Sequence, residues 1–322
     1  MKKNKSISWR RVPSSSLDLS GWKVAVVGGT GGLGRAISKV LASRGASVTV
    51  IGQTFRDEGA RGIEFVKADL SLLREAEHVA KALPAEQLDL VVFTTGIFAA
   101  PKRQETGEGL ERDMAVSYLN RLVMLRELAP RLGRDRTGER AKHKPRVFVM
   151  GFPGTGQAGT LGDLNADKAY KAFEVHMNTV AGNEMLVLDG AKRYPELAIF
   201  GLNPGLIKTN IRDNFLGKDS LKSRFTETLI GWLAPTPEDY GDRIAPLLVS
   251  PDIEAHSGAL FNRKGDAILP SPKLEDNAHV SRFFAEAEAL VERAATTPRP
   301  ASAAIASASS RYTRPRPASS ST

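Results

Sequence analysis

The stretch that decides the fold is KVAVVGGTGGLGRAISKVLASRGASVTVIG, from Lys23 to Gly52. Val24, Val26 and Val27 read as a buried strand that runs straight into Gly28, Gly32 and Gly34. A helix follows with Leu33, Ile37, Val40 and Leu41 on its apolar face, and a second strand spans Val48 to Ile51. Glycines are needed at such a junction because the strand must turn sharply, let its backbone approach a diphosphate, and seat the helix close against the sheet. The free N–H groups and positive dipole end of that helix then favour the phosphates. A glycine triplet alone is a weak signal. Inside strand–loop–helix–strand punctuation it implies a dinucleotide pocket built on Gly28, Thr30, Gly31, Gly32, Leu33 and Gly34.

Working outward, strands and helices alternate from Trp22 onward, which argues for a parallel sheet with helices on both faces. Further strands are expected at residues 63–66, 88–93, 146–150, 197–201 and 257–261. Helical patterns cover residues 110–132 and 173–192, the second with Met177, Val180, Ala181, Met185 and Leu188 on one face. Residues 1–20 read as a flexible basic arm and 21–292 as one folded domain. Residues 293–322 form a Pro/Ser/Ala/Arg-rich tail whose composition cannot bury enough apolar surface to order itself.

The net charge of +9 suggests nucleic acid but is misleading. Residues 1–11 and 293–322 each hold five Lys/Arg and no acid, leaving 35 basic against 36 acidic residues in between. A nearly neutral domain without a basic helix or base-stacking aromatic set argues against specific nucleic-acid recognition. The chain has no cysteine, which excludes disulfides, thiolate catalysis and Cys-based zinc sites, and its five histidines form no ligand spacing. No metal is expected. No segment approaches the ~20 apolar residues of a membrane span, and no apolar run follows the basic N-terminus. A soluble, cytoplasmic protein is the expectation.

The three-residue gap in Gly28-x-x-x-Gly32-x-Gly34 resembles the short-chain dehydrogenase/reductase family, and later segments agree in order. Asp69-Leu70 stands where the family places an Asp near the adenine, and Thr94-Thr95-Gly96 where it has Asn-Asn-Ala-Gly. Asn203-Pro204-Gly205, with Ile207 and Lys208-Thr209-Asn210 after it, is similar to the turn that covers the nicotinamide. The resemblance spans roughly residues 20–270. It implies a single α/β domain with a Rossmann-type doubly wound parallel sheet, a nicotinamide dinucleotide cofactor, a small-molecule substrate, and homo-oligomers formed through the two long helices. It also implies a substrate lid at residues 211–235, where Phe215, Leu221, Phe225, Leu229 and Trp232 lie. The bland alternative is that these side chains simply pack on the sheet.

An acidic residue at the end of the second strand would bond the ribose 2′-OH and repel a 2′-phosphate. Here Gly52-Gln53-Thr54-Phe55-Arg56 offers Gln53 as a donor and Arg56 as a phosphate partner, which favours NADP(H) over NAD(H). Asp57 and Glu58 follow at once and offer Arg56 a competing pairing.

The family's Asn, Ser and Tyr-x-x-x-Lys are all replaced. Val116-Ser117-Tyr118-Leu119 puts Ser117 at the Asn, and Phe152, or Gly151, stands where the Ser should be. For the Tyr/Lys pair, Tyr170 would have Glu174 as its partner and lies 34 residues before Pro204. The preferred register uses Thr179-Val180-Ala181-Gly182-Asn183, placing Val180 at the Lys and His176 at the Tyr, 28 residues before Pro204. His176 has an unperturbed pKa near ~6.5 and suits acid–base work at neutral pH. Tyr118 and Tyr170 are other candidate donors, and a histidine filling a retired site is the bland reading.

These observations point to an atypical NADPH-dependent oxidoreductase acting on a small apolar ketone, enone or polyketide-like molecule of secondary metabolism. Acid–base groups contribute ~10²–10⁴-fold, whereas attack geometry supplies ~7–11 kcal/mol. A degenerate relay beside an intact cradle therefore favours an activated substrate. The alternative is a catalytically silent NADP(H)-binding regulatory or assembly protein, with a non-redox enzyme as a third reading.

Overall fold

The computed structural model describes residues 1–205 and 235–297. Among them one eight-stranded sheet runs in the order β3-β2-β1-β4-β5-β6-β7-β8. The strands are β1 Lys23–Val27, β2 Ser47–Gly52, β3 Ile63–Lys67, β4 Leu90–Phe93, β5 Arg146–Met150, β6 Ala198–Leu202, β7 Leu260–Phe261 and β8 Ala267–Ile268. Neighbours pair in parallel except β7 and β8. The chain builds from β1 outward to β3, then returns to the other side of β1 with β4. Ligands of such sheets bind in the crevice beyond the strand ends at that reversal.

Strand composition explains the layers. In β1, Val24 and Val26 enter one apolar core while Ala25 and Val27 enter the other. β4 divides Leu90 and Val92 from Val91 and Phe93 in the same way. Period-two alternation with both sets apolar is what a sheet covered on both faces requires. One core is closed by α1 (Gly32–Ser43) and α5 (Pro237–Val249). The other is closed by α2 (Leu73–Ala82), α3, α4 (Ala172–Arg193) and α6 (Asn277–Thr296). Helix α3 is composite: Arg112–Met114, a π-helical turn at Ala115–Leu119, and Asn120–Leu128 follow one another without a break. None of these helices is long and apolar enough to cross a membrane.

Two boundaries differ from expectation. The first twenty residues are docked rather than loose. Asn4 N–H donates to the Ala267 carbonyl (2.9 Å) and Leu269 N–H to the Lys2 carbonyl (2.9 Å), so the arm pairs with the exposed edge of β8. Trp9 Nε1 donates to the Gly265 carbonyl (2.7 Å), and Lys3 and Arg11 both pair with Asp266. The basic residues answer a local carboxylate and an unpaired strand edge, which composition alone does not reveal. At the other end, α6 runs past residue 293 to Thr296, because Phe283, Ala287, Val291 and Ala294 bury a continuous stripe. Residues 206–234, which include nearly all of the expected lid and both Ile207 and Thr209, lie outside the described residues, as do residues 298–322.

Candidate active site

A cleft of about 740 Å³ opens at the β1/β4 reversal. Gly28, Thr30, Gly31, Gly32, Leu33 and Gly34 line its floor. Gly28 has φ +89°, and a Cβ there would fall 2.6 Å from the Thr95 nitrogen; one on Gly34 would fall 2.5 Å from the Gly28 carbonyl oxygen. Only glycine permits this approach of β1, α1 and β4. Gly31 is the N-cap of α1 and brings no side-chain cap, so the first-turn N–H groups are left to a ligand. A diphosphate fits this cradle. Asp69, Leu70, Thr95, Gly96 and Pro204 also line the cleft. Asp69 accepts from Ser71 N–H (3.0 Å) and Oγ (2.7 Å), which shapes the turn into α2. Gly205 lies just outside the lining.

At the end of β2, Gln53 and Arg56 line the same cleft. Asp57, the residue that threatened to neutralise Arg56, is taken instead by Arg35 through two bonds of 2.6 and 2.8 Å. The Arg35 guanidinium holds the Asp57 carboxyl below its ordinary range. Arg56 donates through Nη1 to the Thr30 carbonyl (2.9 Å), which holds its charge beside the glycine loop.

His176 and Ser117 come together although they lie on different helices. His176 lines the cleft with its side chain 14% exposed, and Nδ1 donates to Oδ2 of Asp113 (2.8 Å). The other oxygen of Asp113 accepts from Ser117 Oγ (2.5 Å), and Ser117 Oγ in turn accepts from Ile97 N–H (3.0 Å). Asp113 is fully buried. With Nδ1 committed to the carboxylate, Nε2 is the nitrogen that can exchange a proton with a ligand. Phe98 packs on the ring at 4.3 Å between centroids. Val180 lines the cleft one turn further along α4, and Phe152 lines it after β5. The loop that carries Phe152 is anchored by buried Glu184, which accepts from Gly154 N–H (2.9 Å) and from Ser271 N–H (2.5 Å) and Oγ (2.8 Å).

The two tyrosines are placed elsewhere. Tyr170 lies outside the lining and donates its hydroxyl to the Ala100 carbonyl (2.5 Å); burial pushes it up to about 12. Tyr118 is fully buried against Phe283, with ring centroids 5.8 Å apart, and desolvation raises its pKa.

Two charged residues were missed from the sequence. Asp113 and Arg121 flank Ser117 at spacings of four, which places all three on one helical face. That polar stripe inside an otherwise apolar helix was the available signal.

A glycine cradle that fits a diphosphate lies at the reversal point, and His176 lines the same cleft. No family model matches the chain. It is 52% identical over 297 residues to a Saccharomyces cerevisiae protein named uncharacterized oxidoreductase YKL107W, covering 91% of this chain and 95% of the relative. It is 25% identical over 286 residues to polyprenol dehydrogenase of Mus musculus, covering 82% of each. Its fold is similar to that of a short-chain dehydrogenase/reductase from Serratia marcescens, with a TM-score of 0.54 at 19% identity, covering 77% of this chain and 98% of that one. The chain belongs to the short-chain dehydrogenase/reductase family, whose oxidoreductases use NAD(P)(H).

Proposed function

We propose that the chain is an NADPH-dependent reductase of a small apolar ketone or enone, with His176 as proton donor and Asp113 as its buried orienting base. The observation that carries this reading is the Asp113–His176 contact of 2.8 Å at the cleft wall. When bound, the reduced nicotinamide supplies the hydride. The chain's own residues do the rest. His176 delivers a proton from Nε2 to the oxygen or carbon that becomes anionic, while Asp113 steadies the ring through Nδ1. Ser117 keeps the carboxylate aligned from behind.

Arg56 beside the glycine loop, with Asp57 held by Arg35, supports NADPH over NADH. A guanidinium pairs well with a 2′-phosphate. Ile97, Phe98, Phe152 and Val180 on the cleft wall support an apolar substrate, as does the similarity to a polyprenol dehydrogenase.

The test is a turnover screen with (4R)- and (4S)-deuterated NADPH against cyclic enones, quinones and polycyclic ketones. Deuterium transferred to product, with loss of turnover in His176→Phe but unchanged NADPH affinity, is the expected result. Tight NADPH binding with no turnover on any substrate would favour the silent regulatory reading, and no binding of either dinucleotide would end both.

A further inference from the structure

A buried charge remains that the proton-donor reading does not use. Arg121 lies one helical turn beyond Ser117 and two beyond Asp113 on α3, lines the cleft, and is 3% exposed. Its guanidinium is held by neutral groups: Nη1 donates to the Met150 carbonyl and to Oδ1 of Asn183 (2.8 Å), and Nη2 donates to the Thr95 carbonyl. These partners sit just past β4, at the end of β5 and one turn past Thr179 on α4, and all three line the cleft. Among the described residues, the charge set against it is Asp113. Desolvation lowers its pKa to about 9, which leaves it protonated at neutral pH.

Burying a guanidinium with only neutral partners is costly, and an apolar side chain of similar volume would fill the space more cheaply. A function that needs the charge accounts for its presence. Gly96 shows where the charge is felt: a Cβ there would lie 3.8 Å from both Arg121 Nη2 and Ser117 Oγ. The guanidinium and the relay serine therefore flank the same backbone at the cleft floor.

We infer that Arg121 is the positioning cation of this site, replacing from α3 the lysine that Val180 cannot supply from α4. The inference rests on His176 being the proton donor. A buried carboxylate beside an imidazole favours its protonated form. A buried positive charge that interacts with the same carboxylate works against that preference and so favours release of the proton to a ligand. The charged and titratable groups around His176 are Asp113, Glu111, Arg112 and Arg121 from α3, Tyr170 and Arg103 from the loops beside it, and Glu174 on its own helix. Of these, Arg121 is the cation that is buried with neutral partners.

The test reads the protonated-to-neutral ratio of the His176 ring at fixed pH, from its ¹⁵N signals, in the full-length chain without cofactor or substrate. In Arg121→Met the ratio is expected to rise, by about tenfold for a coupling of one pKa unit. Arg121→Lys keeps the charge and is expected to hold the ratio within about twofold of wild type. Should the Met variant fail to fold, Asn183→Asp neutralises the guanidinium in place and is expected to move the ratio the same way. A folded neutral variant with an unchanged ratio overturns the inference. So does a Lys variant whose ratio departs by as much as tenfold, even if no neutral variant folds. The pH limb of NADPH oxidation that requires protonated His176 should move in step, toward higher pH, in the neutral variants. Because the ratio is read with no ligand present, loss of the charge coupling and failure of the turnover screen are distinguishable results.

Discussion

Asp113→Asn is the sharpest perturbation of the proposed relay. The carboxylate is fully buried and accepts at both oxygens, from His176 Nδ1 at 2.8 Å and from Ser117 Oγ at 2.5 Å. The amide has nearly the same shape but offers one acceptor and one donor group. If its NH₂ faces His176, Nδ1 must become an acceptor and the ring proton moves to Nε2. If its NH₂ faces Ser117, the serine must turn its hydroxyl away toward the Ile97 carbonyl, 3.3 Å off. Either way the carboxylate that stabilises the protonated ring is gone. A hydrogen bond to a charged group is worth about 1.5–3 kcal/mol, or roughly 10–150-fold, and acid–base assistance as a whole about 10²–10⁴-fold. The expected loss in kcat is therefore about 10²-fold or more, with NADPH affinity within about twofold of wild type, because Asp113 lies outside the cleft lining. Single-turnover NADPH oxidation with an accepted enone measures the first quantity, and cofactor fluorescence titration the second. A variant that keeps kcat within about threefold would refute the relay, since no other group has been given the task of orienting His176.

Three further outcomes are expected. Arg56→Ala should weaken NADPH about 10–100-fold while leaving NADH within about twofold, as measured by calorimetry, because it removes one charge-assisted pairing to a phosphate. Gly28→Ala should abolish binding of both dinucleotides and lower the melting temperature: it strains a residue at φ +89° by about 1–3 kcal/mol and drives a Cβ to 2.6 Å from the Thr95 nitrogen. Glu111 is held up at about 7, chiefly by burial, while its bonds to the Met114 and Asp113 N–H groups pull the other way. The folded state then binds more protons than the unfolded state between roughly pH 4.5 and 7, so stability should fall as pH rises through that window, by up to about 3 kcal/mol, and level off above it. Denaturant midpoints across that range should show the decline in wild type and lose most of it in Glu111→Gln, which can still cap α3.

The dinucleotide half of the site was legible because local chemistry fixes it. Gly28 must have positive φ, Gly34 must sit on the Gly28 carbonyl, and Val24 to Val27 must alternate between two cores, whatever the rest of the chain does. The setting of Arg56 was only half legible. Gln53 and Arg56 were evident, but whether Asp57 silenced Arg56 depended on Arg35, a turn into α1, and that pairing belongs to tertiary structure. The N-terminal arm failed for a related reason. Its basic residues carry no apolar period, and their partners are the edge of β8 and Asp266, more than 250 residues away.

The acid–base half of the site shows why matching a motif position by position understates what a chain retains. Along α4, His176 and Val180 look like erosion, since one member of a proton-handling pair is altered and the other is apolar. Along α3, the stripe Asp113, Ser117, Arg121 looks like ordinary helical polarity, but all three side chains are buried. The π-helical turn at Ala115–Leu119 lies between the first and last of them, and π turns inside α-helices recur at functional sites. Folding brings the two stripes together: Asp113 meets His176 on α4, and Arg121 meets Asn183 on the same helix. Neither Asp113 nor Arg121 is needed to close a core that already contains Tyr118, Leu122 and Leu125, and burying a charge is costly. Asp113 is held against His176 and Arg121 against the floor at Thr95, which is the arrangement the proposed proton donor calls for.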